Sequence, residues 1–193
     1  MKQTWKPGNM LYPLPAVLIT ARGEEGLDDV CTVAWAGTVC TNPPMVSISL
    51  RPSRLTYQYI METGVFAINL TDEDLVHATD YCGVVSGRDQ DKFQRAHLTK
   101  IPAEEINCPM IEQSPVNIEC RVRETEDLGS HTLFLADIVA VHADQAYMDE
   151  KGRFHFERTK PIVYSHGEYR SVGGYLGKFG YSVQKKKNRR KKS

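Results

Sequence analysis

From Met45 to Leu70 the chain reads MVSISLRPSRLTYQYIMETGVFAINL, and this run dictates a strand, a helix and a second strand in immediate succession. Val46, Ile48 and Leu50 face one way while Ser47, Ser49 and Arg51 face the other, the period-two pattern of a strand with one core face. Pro52 stops that strand. Ser53 is the expected N-cap of a helix running to about Thr63, and Gly64 is placed to end it in the left-handed conformation. A helix N-terminus is therefore expected beside Arg51. Free backbone N–H groups, the Ser53 and Thr56 hydroxyls and a guanidinium together make what a phosphate monoester needs from a protein without a metal. The same residues also fit a plainer role, with Ser53 a cap and Arg51 a solvated strand residue, and the local pattern alone does not choose between the two.

Strand signals continue along the chain at Ala16 to Ala21, Cys31 to Thr38, Val65 to Leu70, Val116 to Glu124, Thr132 to Val141 and Ile162 to Ser165. Val116, Ile118, Cys120 and Val122 alternate with polar residues, so that strand has one wet face. Thr132 to Val141 is apolar on both faces, as a strand between the core and a second buried surface requires. Short helices are expected after Thr71, with Asp74 three residues on as an approximate capping box, and around Asp91 to His97. Strands outnumber helices and do not alternate with them as βαβ units do. The fold class is therefore mainly β with short helices, a closed antiparallel barrel rather than a doubly wound sheet.

The five cysteines, Cys31, Cys40, Cys82, Cys108 and Cys120, are odd in number and form no CxxC pair, which argues against a disulfide framework or a zinc site. Cys82 reads as a small half-buried residue more readily than as a redox thiol. GGYLGKFG at Gly173 to Gly180 lacks the Lys-Ser/Thr ending of a phosphate loop and reads as a turn region. No Rossmann fingerprint is present, so a nicotinamide donor would have to visit an open surface rather than a dedicated domain. Residues 185–192, KKKNRRKK, hold seven of the 24 basic residues, leaving 17 basic against 24 acidic groups before them, a net of −7. An acidic body makes nucleic acid an unfavourable main partner, and the basic segment reads as a solvated, disordered tail. No apolar run is long enough to span a bilayer and no charged-then-apolar leader follows Met1, so no membrane role and a cytoplasmic location are expected.

Several motifs in order carry a resemblance: PLPAVLITA at Pro13 to Ala21, AWAGT before NPP, RPSRLT, TGVFAINL, SGRDQDKF at Ser86 to Phe93, SPVNIEC at Ser114 to Cys120, LGSH at Leu128 to His131, and PIVYSHGEY at Pro161 to Tyr169. Together they span about Pro13 to Tyr175, and the chain resembles the flavin reductase-like family of FMN-binding split barrels, which includes flavoredoxins and NAD(P)H:flavin oxidoreductases. The resemblance implies an antiparallel FMN-binding split β-barrel of Greek-key type over residues 1–180, followed by the basic tail 181–193. It implies FMN as cofactor and NAD(P)H as a transient electron donor. The alternatives are a flavoredoxin-type electron carrier without nicotinamide activity and a non-catalytic flavin-binding protein. A homodimer with the flavin at the subunit interface is implied too, with no redox partner or acceptor named.

Residue by residue, Trp35 and the backbone of Ala36, Gly37 and Thr38 match the segment along the flavin ring and ribityl chain. Arg51, Ser53 and Thr56 match the phosphate side. Lys92 resembles a lysine that reaches the flavin from a loop shared with Ser86, and His131 resembles a histidine at the strand edge, whose titration near neutrality would tune a reduced flavin. Tyr164 matches an aromatic near the ring. Each also has a plainer reading: Trp35 as a half-buried strand aromatic, Lys92 as an exposed helix lysine, His131 as a structural turn residue and Tyr164 as core. No side chain is expected to be a nucleophile, since the flavin carries the chemistry. One departure stands out: relatives commonly carry an asparagine where this chain has Asp28 and Asp29, and a carboxylate cannot donate a hydrogen bond at neutral pH.

Overall fold

The computed structural model describes residues 1–184. A seven-stranded antiparallel sheet dominates it, in the order β3-β2-β6-β9-β10-β5-β4. These strands are β2 (Val17–Arg22), β3 (Asp28–Val33), β4 (Ala36–Cys40), β5 (Met45–Leu50), β6 (Val65–Leu70), β9 (Val116–Asp127) and β10 (Thr132–Ala143). The hydrophobic pattern explains how the sheet rolls up. Val17 and Ile19 of β2, Cys31 and Val33 of β3, Val46, Ile48 and Leu50 of β5, Phe66 and Ile68 of β6, and Phe134 and Ala136 of β10 all enter one buried core. Strands from opposite ends of the order thus share an interior, which a flat sheet cannot achieve and a barrel can.

The opposite face of β2 is covered as well. Leu18 and Val30 pack with Leu75, the N-cap of α2 (Val76–Val84), with Ala78 and Cys82 of that helix and with Phe93 of α3 (Lys92–Arg95). A small hairpin of β7 (Lys100–Pro102) and β8 (Pro109–Ile111) covers Ala67 through Cys108 and Met110. A three-stranded sheet of β1 (Leu14–Pro15), β11 (Ile162–Ser165) and β12 (Glu168–Ser171) stands beside the barrel.

The helix after β5 is α1 (Leu55–Thr63), closed by Gly64 at φ 69°, whose N–H bonds to the Ile60 carbonyl. Only a residue without Cβ takes that conformation at little cost. Ser53 is not its cap. Arg54 holds that position with no side-chain hydrogen bond, because Arg51 to Arg54 first form a turn in which Arg54 N–H bonds to the Arg51 carbonyl. The expected single strand Cys31 to Thr38 is two, since the chain leaves β3 at Val33 and restarts at Ala36 to pair with β5. Ahead of α2, the Asp72 carboxylate accepts from Leu75 N–H at 3.0 Å, while the Thr71 hydroxyl donates to the Ala16 carbonyl. The anticipated pairing of Thr71 with Asp74 is therefore replaced by Asp72. On β10, Phe134 and Ala136 are buried, but Val139 and Val141 are exposed, so within this chain the strand has one fully covered face. Of the basic tail expected from 181 onward, Tyr181–Val183 form a 3₁₀ turn and the KKKNRRKK segment lies outside the described residues.

Candidate functional site

Strand register assembles the site. The pairing of β10 with β5 sets Thr132 against Leu50, which brings His131, one residue before β10, alongside Arg51, one residue past β5. Gly129, at φ 93°, turns the tip of the β9–β10 hairpin, and Leu128 N–H closes it onto the His131 carbonyl at 2.9 Å. Across the same sheet edge the Trp35 carbonyl accepts from Ser49 N–H at 2.8 Å, fixing the indole beside β5. Trp35 and His131 lie nearly parallel, 6.5 Å between centroids and 25° between planes, and Tyr164 of β11 stands 6.5 Å from Trp35 at 55°. These rings surround a cavity of about 590 Å³ whose walls also include Arg51, Arg54, Asp80 and Tyr169.

A second cavity of about 490 Å³ shares Arg51, Arg54 and Val84 with the first and continues to Ser53, Leu55, Ser86, Gly87 and Lys92. Both volumes fall in the ~300–1,000 Å³ range of small-molecule sites. The two ends differ in chemistry. One is aromatic. The other gathers two guanidinium groups, two hydroxyls and the first turn of α1, whose leading N–H groups have no partner within the helix. Arg54 is held in place by donating to the Gly83 carbonyl at 2.5 Å, and among the described residues neither Arg51 nor Arg54 makes an ion pair.

Beneath the second cavity lies a buried polar knot. Lys92 Nζ sits 3.0 Å from Asp29 Oδ1 and 3.2 Å from Oδ2, and their side chains are 2% and 3% exposed. Thr56, fully buried, donates its hydroxyl to the same carboxylate. Gly87 presses on it from the loop: a Cβ built there would stand 2.1 Å from Asp29 Oδ1. Lys92 is thus neither the solvated helix lysine nor a free arm on a loop, because a buried ammonium requires a counter-ion and Asp29 supplies it.

The eleven residues singled out by sequence separate into four groups, of which the first two share Arg51. Trp35, Arg51, His131 and Tyr164 meet in the first cavity, and Arg51, Ser53, Ser86 and Lys92 in the second. Ala36, Gly37 and Thr38 lie on the edge strand β4, Gly37 and Thr38 exposed, and line neither cavity. Thr56 is spent on Asp29 and does not reach the cavity wall. Burial and the neighbouring Arg51 charge lower the His131 pKa from its ordinary value, so both disfavour the imidazolium form. Burial, then the nearby Asp80 charge, pushes the Tyr169 phenol up to about 12, leaving a permanent O–H in the wall. Sequence reasoning gave no role to Arg54, Asp80 or Tyr169, although Arg54 and Tyr169 stand inside the motifs RPSRLT and PIVYSHGEY. The signal for Asp29 was the missing asparagine.

Residues 10–173 match the flavin reductase like domain. The chain belongs to the flavin reductase-like family. Its fold superposes on the flavoredoxin of Desulfovibrio vulgaris (Miyazaki F) with a TM-score of 0.88 at 29% identity, covering 95% of this chain and all of that one. The flavoredoxin from Methanosarcina acetivorans gives 0.83 at 30% identity over 95% of this chain and all of its own. An FMN reductase (NADH) of Agrobacterium fabrum is 25% identical over 123 residues, 63% of this chain and 67% of that protein. The rolled antiparallel sheet of this flavin reductase-like chain is accordingly the split barrel expected from its motifs.

Proposed function

We propose that the chain binds FMN and serves as a flavin-dependent oxidoreductase. The observation that carries this reading is the pair of adjoining cavities, aromatic at one end and cationic at the other, with Arg51 and Arg54 at the join. The groups present fit FMN. Trp35, His131 and Tyr164 offer flat surfaces to an isoalloxazine, while Arg51, Arg54, Ser53 and the start of α1 offer N–H and O–H donors to a phosphate. When bound, FMN supplies hydride and single-electron chemistry, which no side chain of this site provides. The protein's part is orientation and electrostatics. Burial and Arg51 disfavour a charged His131 beside the ring, the Tyr169 O–H keeps its proton, and Arg51 favours negative charge at either end of the ligand.

NAD(P)H is the proposed donor, supported by the NADH-dependent relative. The flavoredoxins, which align over nearly the entire chain, support the second reading, an electron carrier fed by another redox protein. Anaerobic rapid mixing of the FMN-loaded protein with NADH and NADPH separates them. Bleaching of the visible flavin band by either nucleotide is the expected result, and bleaching by reduced ferredoxin alone would establish the carrier. The reading includes a homodimer acting in the cytoplasm. Exposed apolar side chains on both terminal arms, among them Trp5, Tyr175, Leu176 and Phe179, support a subunit contact, since a monomer seldom leaves so many in water.

A further inference from the structure

Asp29 is out of place in an anion site. Its carboxylate lies under the cationic cavity, fully enclosed, and bonds Lys92 with both oxygens. Three elements lock it there: β3 carries it, Thr56 of α1 donates to it, and Gly87 of the loop between α2 and α3 packs on it so closely that no larger residue fits. Such a carboxylate neither swings away nor faces solvent, and its negative charge is not screened by water as a surface charge is. Lys92 lines the cavity, yet its charge is cancelled at contact distance. The end of the site that meets a phosphate therefore presents two cations with no ion-pair partner among the described residues, Arg51 and Arg54, in place of three.

We propose that Asp29 is a fixed counter-anion that lowers the affinity of this cavity for a phosphate dianion, so that the chain takes phosphorylated flavin as an exchanging ligand rather than a permanently held group. The inference rests on the FMN reading and concerns only how tightly the phosphate is held. Replacing Asp29 by asparagine keeps the shape and retains an acceptor for Thr56 and Lys92, but it leaves the ammonium without a protein counter-ion, so that a bound phosphate becomes its partner and the cavity gains one unit of positive charge toward the ligand. Removing both charges together restores the original balance. A paired buried charge exchanged for neutral residues of like size is ordinarily tolerated by the fold.

Equilibrium titration with FMN and with riboflavin, which lacks the phosphate, tests this on the full chain, with thermal unfolding recorded for each variant. Asp29→Asn is expected to bind FMN at least tenfold tighter than wild type, equivalent to about 1.4 kcal/mol, and to release it correspondingly more slowly. Riboflavin affinity is expected to shift by less than about threefold, and the Asp29→Asn/Lys92→Met double variant to bind FMN within about threefold of wild type. Unchanged or weaker FMN binding by a folded Asp29→Asn overturns the proposal while leaving the FMN reading intact. If the single variant does not fold, the double variant decides: a tenfold loss of FMN affinity would mean that Lys92 keeps its charge toward the ligand, and the proposal fails. A wild-type chain that binds neither flavin removes the FMN reading and this inference together.

Discussion

Arg51 is the residue on which the site turns, because it borders both cavities and has no ion-pair partner among the described residues. Arg51→Ala is expected to weaken FMN binding by about tenfold or more, as loss of one charge-assisted contact implies, and to leave riboflavin nearly unaffected. Flavin fluorescence quenching measures both. Thr56 and Ser53 are expected to part company. Thr56→Ala removes a hydrogen bond to a buried carboxylate and should cost about 1–3 kcal/mol of stability in urea unfolding, whereas Ser53→Ala, at an exposed turn, should stay within about 0.5 kcal/mol. Sequence singled out Trp35, Arg51, His131 and Tyr164, which the fold gathers at one cavity, because each stands in a dense local motif. The partnership of Lys92 with Asp29 was not readable in that way, since the two lie 63 positions apart and only the packing of α3 against β3 joins them. For His131 the residue was legible and its charge was not, because burial and Arg51 act through space.

At the scale of elements, strand alternation and Gly64 placed β5, α1 and β6 closely, while the cap at Ser53 was missed because the chain inserts a turn between strand and helix that a capping pattern does not encode. The loop bearing Ser86 and Gly87 is pinned by close approach, so Gly87→Ala should destabilise the fold by about 1–3 kcal/mol and loosen FMN together with it. Glu119 plays the corresponding part farther along the sheet, on β9, which β6 separates from β2. It is fully buried on β9 and accepts N–H bonds from Glu104, Glu105 and Ile106, and its Oε1 lies 2.6 Å from His142 Nε2. Burial by itself would raise its pKa, but those N–H groups and His142 outweigh burial and hold the carboxyl below its ordinary value. A depressed carboxylate pKa adds stability above the unfolded-state value of about 4.3, and that increment is lost as pH falls through the folded-state value. Wild type should therefore exceed Glu119→Gln in melting temperature at pH 7, with the gap closing below about pH 4. A gap that stays constant across that window would remove Glu119 from the account.

For the whole molecule, the barrel exists because opposite ends of one sheet share a core, and its split edge is where β3, β5 and β10 deliver Trp35, Arg51 and His131 to one place. Family motifs made that architecture legible before any coordinates, as the family match and the flavoredoxin superpositions bear out. The resemblance had already set a ring side at Trp35 and Tyr164 apart from a phosphate side at Arg51 and Ser53; what was not legible is that Arg54, Asp80 and Tyr169 join the walls, because they arrive from three separate elements. Subunit association, proposed from the exposed terminal arms, is checked by sedimentation of the full chain, which should run as a dimer. The central claim is that an aromatic cavity and a cationic cavity together hold one phosphorylated flavin. Calorimetric titration of the wild-type chain with FMN and riboflavin addresses it most directly. One FMN per chain, bound at least about tenfold tighter than riboflavin, is the expected result; equal affinity for the two flavins, or none for either, would contradict it.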